Sequence, residues 1–394
     1  MTPLASEEAV RGALFGVIDP ELGDNVVDLG MVRGVNIGDD GRTEVRIALT
    51  TAGCPLRAQL TKDIKLRVGS VPGVTDVDVV MGEMTGEEKG VLMARARWKA
   101  RDNAPHTDIP ATTRVVAIAS GKGGVGKSSV TANLAAELAR RGYTVGVLDA
   151  DIGGFSIPRM LGVEGKVGVR EGKILPLEKV VGAGLLKVLS MGSIEGAAED
   201  EAIMLRGFML NRAVQHFLED VRWSGRNGAG DDLSYLLIDM PPGTSDIQMG
   251  LARMLPRTEL LIVTTPSLAA QNVAARAADM ARKGYLRVAG VIENMSAFIC
   301  AHGESYPLFG VGGGQRLAEQ IGAPLLGSIP LDPAVAIGGD TGVPASLAGS
   351  GPVSDAFSAL ADRIISEAIP PVEMAGCTAR LFDEVEAALG PAVR

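Results

Sequence analysis

The residues whose spacing carries the most chemistry are Gly121 to Ser128, which read GKGGVGKS. A Gly, four residues, a Gly, a Lys and a hydroxyl residue is the spacing of a phosphate-binding loop. Gly121, Gly123, Gly124 and Gly126 let the backbone turn where a Cβ would clash and leave N–H groups pointing inward. Such groups form an anion-holding nest at the start of a helix, where the dipole also favours negative charge. Lys127 then reaches the β- and γ-phosphates of a nucleotide, and the Ser128 hydroxyl binds Mg²⁺. The expected nucleotide-binding stretch runs from Gly121 to Ser129 and includes Val125. The loop lies at the surface of a sheet edge, so Lys127→Ala is expected to abolish hydrolysis and leave the fold intact. Two acidic clusters complete the set. Asp149 and Asp151 follow the apolar run Thr144 to Leu148, and Asp239 follows Tyr235 to Ile238. Acids at the carboxyl ends of strands lie on the face where open α/β sheets bind ligands. By sequence, Asp151 is placed to position the attacking water, with Asp149 beside it toward the metal and Asp239 in the Mg²⁺ shell. For Asp151 the structural alternative is helix capping.

The flanking elements suit these roles. Val115 to Ala119 is a short apolar run fit for a buried parallel strand. Ser128 to Arg141 has helical spacing, with Val130, Leu134 and Leu138 on one face. Further strands are expected at Leu186 to Ser190, Leu260 to Thr264, Val288 to Ile292 and Leu326 to Pro330. Helices are expected at Glu199 to Phe217, Ala269 to Lys283, Gln315 to Gln320, Phe357 to Ala368 and near 381–389, with a loop at Arg226 to Asp232 in a stretch rich in glycine. Strands alternating with helices give an α/β fold, a doubly wound, mostly parallel sheet of the P-loop NTPase type over residues 114–394. A small α+β domain is expected over 1–98. Ser6 caps a helix that runs to about Val17, Met31 to Ile37 and Glu44 to Leu49 are strands, and Pro55 to Val68 is a helix with Leu56, Leu60, Ile64 and Val68 on one face. Val77 to Met81 and Val91 to Trp98 close that domain as strands. Residues 99–113 are polar with Pro105 and Pro110, a linker composition that contains His106.

Composition excludes several classes. At 394 residues the chain has room for two domains. A net charge of −9 argues against nucleic acid or an anionic membrane as partner. Cys54, Cys300 and Cys377 are too few and too scattered for a disulfide framework. No apolar stretch approaches the ~20 residues of a membrane span. The N-terminus carries Glu7 and Glu8 rather than a basic-then-apolar signal. The expectation is a cytoplasmic, reduced protein.

Lys122 follows the first Gly, so GK stands at both ends of the loop. Here the sequence resembles the deviant Walker A P-loop ATPases, a family that includes positioning and partition ATPases, nitrogenase iron protein and the Mrp/ApbC iron–sulfur carriers. The resemblance to the Mrp/ApbC carriers is closest at Asp239-Met-Pro-Pro-Gly-Thr244, at Asp149-Ala-Asp-Ile152 and at Glu293-Asn-Met-Ser296. It extends to an N-terminal domain similar to iron–sulfur assembly factors, through Asp19-Pro-Glu-Leu22, Val27-Asp-Leu-Gly30 and Thr50-Thr-Ala-Gly-Cys-Pro55. The resemblance implies a slow ATP-hydrolysing homodimer that carries iron–sulfur clusters, of the 4Fe-4S type, to apo-protein clients. It implies that Lys122 crosses the dimer interface to the partner's nucleotide and that Asn294 contacts the adenine edge.

This sequence departs from that family's pattern in places. Phe155 replaces the Pro before Ser156, and Ser245 stands before Asp246 where Gly is common. Only Cys300 of a Cys-x-x-Cys pair is present, with Gly303 where the second Cys is expected. Cys300 is therefore either a cluster ligand, with His302 or Cys54 completing the set, or part of a surface turn that has lost its partners. Cys54 is likewise either a ligand activated by a helix N-terminus or a buried, inert thiol. Two rivals belong to other classes. A spatial-organisation ATPase would need a basic tail or surface, and an ATP-dependent reductase would need two cluster cysteines per subunit.

Overall fold

The computed structural model describes residues 5–19, 24–49, 56–85, 88, 109–151, 154–163, 165–190, 193, 216–223, 233–243, 254–255, 257–283, 286–300 and 302–372. They form two compact units, one within residues 1–105 and one from His106 to Pro371. The expected strand 91–98, the string Thr50 to Pro55 with Cys54, the loop 226–232, the helix near 381–389 and Cys377 lie outside the described residues.

In the first unit α1 (Glu7–Leu14) starts on Ser6, whose Oγ accepts the Ala9 N–H at 3.1 Å. That cap, with Glu7 and Glu8 in the first turn, satisfies and complements the exposed N–H groups of the helix start. The helix ends earlier than expected because the chain tightens, with Gly16 and Val17 donating three residues back to Ala13 and Leu14. Strands β1 (Val32–Ile37) and β2 (Arg42–Leu49) are antiparallel across the turn Gly38–Gly41, and β3 (Asp76–Glu83) pairs parallel with β2. The helix α2 (Arg57–Gly69) joins β2 to β3. Val10 and Leu14 of α1, Leu60, Ile64 and Val68 of α2, and Val45 and Ile47 of β2 are all buried together.

The second unit is built on β4 (Arg114–Ser120), β5 (Thr144–Asp149), β6 (Leu177–Val181), β7 (Gly184–Ser190), β8 (Tyr235–Asp239), β9 (Glu259–Thr264), β10 (Arg287–Glu293) and β11 (Leu325–Ser328). Among the described residues the sheet order is β6-β7-β5-β8-β4-β9-β10-β11. Every pairing is parallel except β6 with β7. Alternate residues feed opposite faces, as the two-residue strand period requires. Val116 and Ile118 of β4 with Tyr235 and Leu237 of β8 pack beneath α3 (Lys127–Arg140) and α8 (Pro352–Arg363). Val115, Ala117 and Ala119 with Leu236 and Ile238 pack beneath α5 (Leu268–Lys283) and α6 (Gly313–Ile321). With both faces covered, the central strands read as unbroken apolar runs.

Some elements are absent from the sequence reading. The edge strand β6, LEKVV, is too short and half polar to stand out. The short helix α4 (Ile157–Met160) carries a Pro, and α7 (Pro333–Thr341) carries a Pro and two Gly. The last part of the supposed linker is a correction. Ile109 is 5% exposed within the apolar core, and the Arg257 guanidinium donates to the carbonyls of Ile109 and Pro110. The chain is thus docked from Ile109 onward, because the buried isoleucine and the carbonyl contacts outweigh the local polarity. Residues 368–370 strap the far end of the sheet. Tyr235 Oη donates to Ile369 O at 3.0 Å, Arg287 to Ala368 O at 3.0 Å and Arg114 to Pro370 O at 2.7 Å. No helix among the described residues is long and apolar enough to cross a membrane.

Candidate active site

Strands β5, β8 and β4 are neighbours, and their carboxyl ends bring the chemistry together. The parallel register sets Asp239 beside Asp149 on one side and beside Ile118 on the other. The loop 121–126 leaves β4 at this edge and enters α3 at Lys127. Gly243 N–H donates to Ser120 O at 3.0 Å, which ties the segment after Asp239 to the base of the loop.

The glycines of the loop differ in what they require. A Cβ on Gly121 would lie 2.2 Å from Ala274 N, so α5 passes too close for any side chain. Gly126 has φ +79° and a Cβ there would lie 2.2 Å from Asn294 Nδ2. Gly124 has φ +80° with open space around it. Gly123 has neither a positive φ nor a neighbour within 4 Å. The expectation that all four avoid a clash is corrected: close packing demands Gly121 and Gly126, backbone conformation demands Gly124, and Gly123 is free of both.

At the start of α3, Lys127 is 6% exposed and its Nζ lies 2.7 Å from Asp239 Oδ2. The same oxygen accepts the Ser128 hydroxyl at 2.6 Å, and Asp239 Oδ1 accepts the Thr131 hydroxyl at 2.8 Å. Lys127 is therefore not a surface residue, which removes the ground for expecting Lys127→Ala to leave the fold intact. Its ammonium is one half of a buried ion pair. Thr131 was not singled out by sequence. Its signal is one helical turn of spacing from Lys127, which points both inward from α3.

Asp149 is 1% exposed. Its Oδ2 accepts the N–H groups of Ser156 at 3.1 Å and Ile157 at 3.3 Å, and its Oδ1 accepts the Asp151 N–H at 3.2 Å. The carboxylate expected to face a metal thus organises the segment from Asp151 to α4. The capping considered for Asp151 belongs to Asp149. Burial, reinforced by the charge of Asp239, pushes Asp149 up to about 7, against the pull of those N–H groups and of Lys127. Asp151 is half-buried and also raised by burial, with Lys127 opposing. The charges of Lys127 and Asp239 both reach it, so it lies within electrostatic range of the same centre.

Asn294, expected at an adenine edge, is 7% exposed and its Nδ2 donates to Val125 O at 2.9 Å, inside the loop. Lys122 is exposed, and its carbonyl accepts the Ser120 hydroxyl at 3.2 Å. Ser129 lines a cavity of about 860 Å³ whose other walls include Phe155, Arg159, Val335 and Asp340. That volume lies within the range of small-ligand pockets.

The second chemical feature is a small hairpin. Phe298 and Ile299 pair antiparallel with Tyr306 and Ser305, and Cys300 stands at its tip. Cys300 N–H donates to Glu304 O at 3.0 Å, and Gly303 N–H donates to Cys300 O at 2.9 Å. Gly303 has φ +84°, so the place of the missing second Cys is a left-handed turn position that favours glycine. Cys300 is partly exposed, and His302 is exposed on the same turn. Among the described residues no group of His, Cys, Asp and Glu is large enough to hold a metal ion unaided. Cys54 and the segment Thr244 to Asp246 lie outside the described residues.

Known proteins resemble both units. Residues 111–365 match the family described as NUBPL iron-transfer P-loop NTPase, and residues 7–79 match the family described as iron-sulfur cluster assembly protein. An iron-sulfur cluster carrier protein of Mycobacterium tuberculosis is 45% identical over 343 residues, 85% of this chain and 87% of its own length. One from Deinococcus radiodurans is 42% identical over 345 residues, 86% and 89% respectively. A solved nucleotide-binding protein of Archaeoglobus fulgidus in complex with ADP is 33% identical with a TM-score of 0.50, covering 62% of this chain and 91% of that one.

Proposed function

The chain belongs to the NUBPL iron-transfer P-loop NTPase family, and from that premise we propose that it hydrolyses ATP and carries an iron–sulfur cluster to apo-protein clients. The single observation that carries the ATPase half is the buried convergence of Lys127, Ser128 and Thr131 on Asp239 at the mouth of the glycine loop. In this reading the loop N–H groups from Gly121 to Ser129 receive the phosphates, and Lys127 leaves Asp239 to meet their charge. The donor set fits Mg²⁺, which takes oxygen ligands and one or two carboxylates beside phosphate oxygens. Ser128 and Asp239 would hold it, with Asp149 as a neighbouring carboxylate, and when bound it neutralises charge developing on the transferred phosphoryl group. Asp151 orients the attacking water, since its carboxylate is half-buried and within electrostatic range of Lys127 and Asp239. Lys122, whose side chain points to solvent, is the residue that reaches the nucleotide of a second copy in a homodimer. Asn294 lies at the loop and serves the nucleotide end of the site.

The cluster is cargo. Cys300 on the hairpin tip supplies one thiolate per chain, and two copies supply two. His302 or Cys54 completes the ligand set of a cluster, taken here as 4Fe-4S, because clusters are held mainly by thiolates with His an occasional replacement. The residue boundaries of this reading are an assembly-factor-like domain at 1–98 and an ATPase domain expected at 114–394, extended at its start to the docked Ile109. Its setting is the cytoplasm, where thiols stay reduced.

Anaerobic reconstitution of wild type, Cys300→Ala, His302→Ala and Cys54→Ala, with iron and sulfide counted per chain, tests the cargo assignment. Cluster bound by wild type and lost in Cys300→Ala supports it. Equal loading of wild type and Cys300→Ala makes the hairpin vestigial, and loss in Cys54→Ala alone moves the cargo site to the small domain. If wild type binds no cluster, the carrier reading fails.

A further inference from the structure

The glycine loop and the cysteine hairpin are far apart in sequence but are joined through the residues that end β10. Asn294 Nδ2 donates to Val125 O at 2.9 Å. Its own N–H donates to Thr264 O at 2.8 Å, at the end of β9, so the residue is fixed from both sides. The peptide group between Val125 and Gly126 is planar, and its C=O and N–H point in opposite directions. Holding Val125 O therefore aims the Gly126 N–H, one of the donors the loop offers to an anion. Reciprocally, any anion that rotates this peptide acts on the Asn294 amide. There is no slack, because a Cβ on Gly126 would lie 2.2 Å from Nδ2.

The next residue, Met295, has φ +54°, a left-handed conformation that non-glycine residues hold only where their surroundings impose it. From there the chain enters the hairpin. Ser296 N–H and Oγ donate to Ile329 O at 2.9 and 3.1 Å, Leu331 N–H donates to Ala297 O at 2.8 Å, and Phe298 bridges to Leu331. On the other side of the same excursion, Glu293 Oε2 accepts the Gly314 N–H at 2.5 Å at the start of α6, a favourable place for a carboxylate. The segment that carries Cys300 thus begins on Asn294 and is closed by Glu293.

We propose that Asn294 is a positioning residue that couples the state of the glycine loop to Cys300, with Met295 as the strained joint between them. This deepens the carrier reading and rests on it. Nucleotide binding at the loop changes the hold on Val125 O, and the change reaches the hairpin through a short, hydrogen-bonded path that is buried at Asn294 and half-buried from Met295 to Phe298. A coupling of this kind is expected to change the affinity or reactivity of the distant group by roughly 5-fold or more.

The test uses the full chain without cluster. N-ethylmaleimide labelling of Cys300 is followed by mass spectrometry of its peptide, with and without saturating Mg–ADP or a non-hydrolysable ATP analogue, and nucleotide binding is titrated separately. Wild type should change its labelling rate by about 5-fold or more on nucleotide binding. Asn294→Ala, measured at its own saturating concentration, should respond by less than about 2-fold, below the range of such couplings. Met295→Gly, which removes the strain together with a side chain whose Cε lies 3.4 Å from where a Gly126 Cβ would stand, keeps the Asn294 amide on Val125 O and should fold, bind nucleotide and show the same weakened response. If Asn294→Ala does not bind, Met295→Gly decides, and a wild-type response in it overturns the proposal. A wild type that binds nucleotide with no change at Cys300 overturns the proposal and leaves the ATPase reading standing. A wild type that binds no nucleotide overturns both.

Discussion

Removing the Lys127 side chain should destabilise the protein even before nucleotide enters. In Lys127→Ala the Asp239 carboxylate, 0% exposed, loses an ammonium at 2.7 Å and keeps, among the described residues, the Ser128 and Thr131 hydroxyls as partners. Breaking a buried pair by deleting one member costs roughly 3–5 kcal/mol. The lower end applies here, because two donors remain. With about 3 kcal/mol lost, the melting temperature should fall by roughly 6–12 °C for a unit of this size. The second variant is Lys127→Ala/Asp239→Asn, in which the orphaned charge is gone. It should recover to within about 1 kcal/mol of wild type, since the residues are directly coupled and their effects do not add. Urea unfolding followed by far-ultraviolet circular dichroism and by the fluorescence of buried Trp223 reads both variants. A Lys127→Ala protein within about 0.5 kcal/mol of wild type, the range of ordinary surface substitutions, would refute the reasoning and return Lys127 to the surface.

Asp149→Asn removes an acid whose folded pKa is about 7 rather than 3.8. The folded state holds that proton more tightly than the unfolded one, so wild-type stability relative to the variant should fall as pH rises from about 4 to about 7 and stay level above; melting curves across that range measure it. Thr131→Val keeps the shape but removes a donor to a buried carboxylate, and should cost about 2 kcal/mol in urea melts with a weaker apparent Mg²⁺ dependence of hydrolysis, whereas Thr131→Ser should restore both. Gly121→Ala and Gly126→Ala should each lose soluble folded protein or nucleotide binding, because their Cβ atoms meet backbone or a fixed amide at 2.2 Å. Gly123→Ala should unfold within about 0.5 kcal/mol of wild type, and a comparable loss from all three would show that the packing argument is wrong. Mixed dimers of Lys122→Ala and Asp151→Ala subunits should recover part of the lost hydrolysis if Lys122 acts across the interface; proven heterodimers without recovery would exclude that role.

The sequence by itself determined the sheet, the loop and the family. Apolar runs of strand length ending in Asp149 and Asp239, a glycine loop between a strand and a helix, and helical spacing through α3 are local signals, set by backbone sterics and by the period of each element. They locate the carboxyl-end face where the site lies, and Lys122, the Asp239 to Gly243 string and Glu293 to Ser296 carry the family resemblance. What the tertiary structure decided are the contacts between elements, because partner choice depends on strand order and close approach rather than on neighbours in the chain. Spacing puts Lys127 on a phosphate, but only the adjacency of β8 and β4 gives it Asp239 and buries the pair. Asp149 and Asp151 look alike on paper, and only the fold of the segment into α4 gives the N–H groups to Asp149. Gly123 reads like Gly126, but a Cβ on Gly126 would meet Asn294 at 2.2 Å whereas one on Gly123 would meet nothing within 4 Å. Ile109 sits in polar, proline-containing sequence, and its docking rests on Arg257, which is remote in the chain. The lone Cys300 is equally a matter of shape: the hairpin turns at Gly303 in a left-handed conformation that a second cysteine would occupy only under strain.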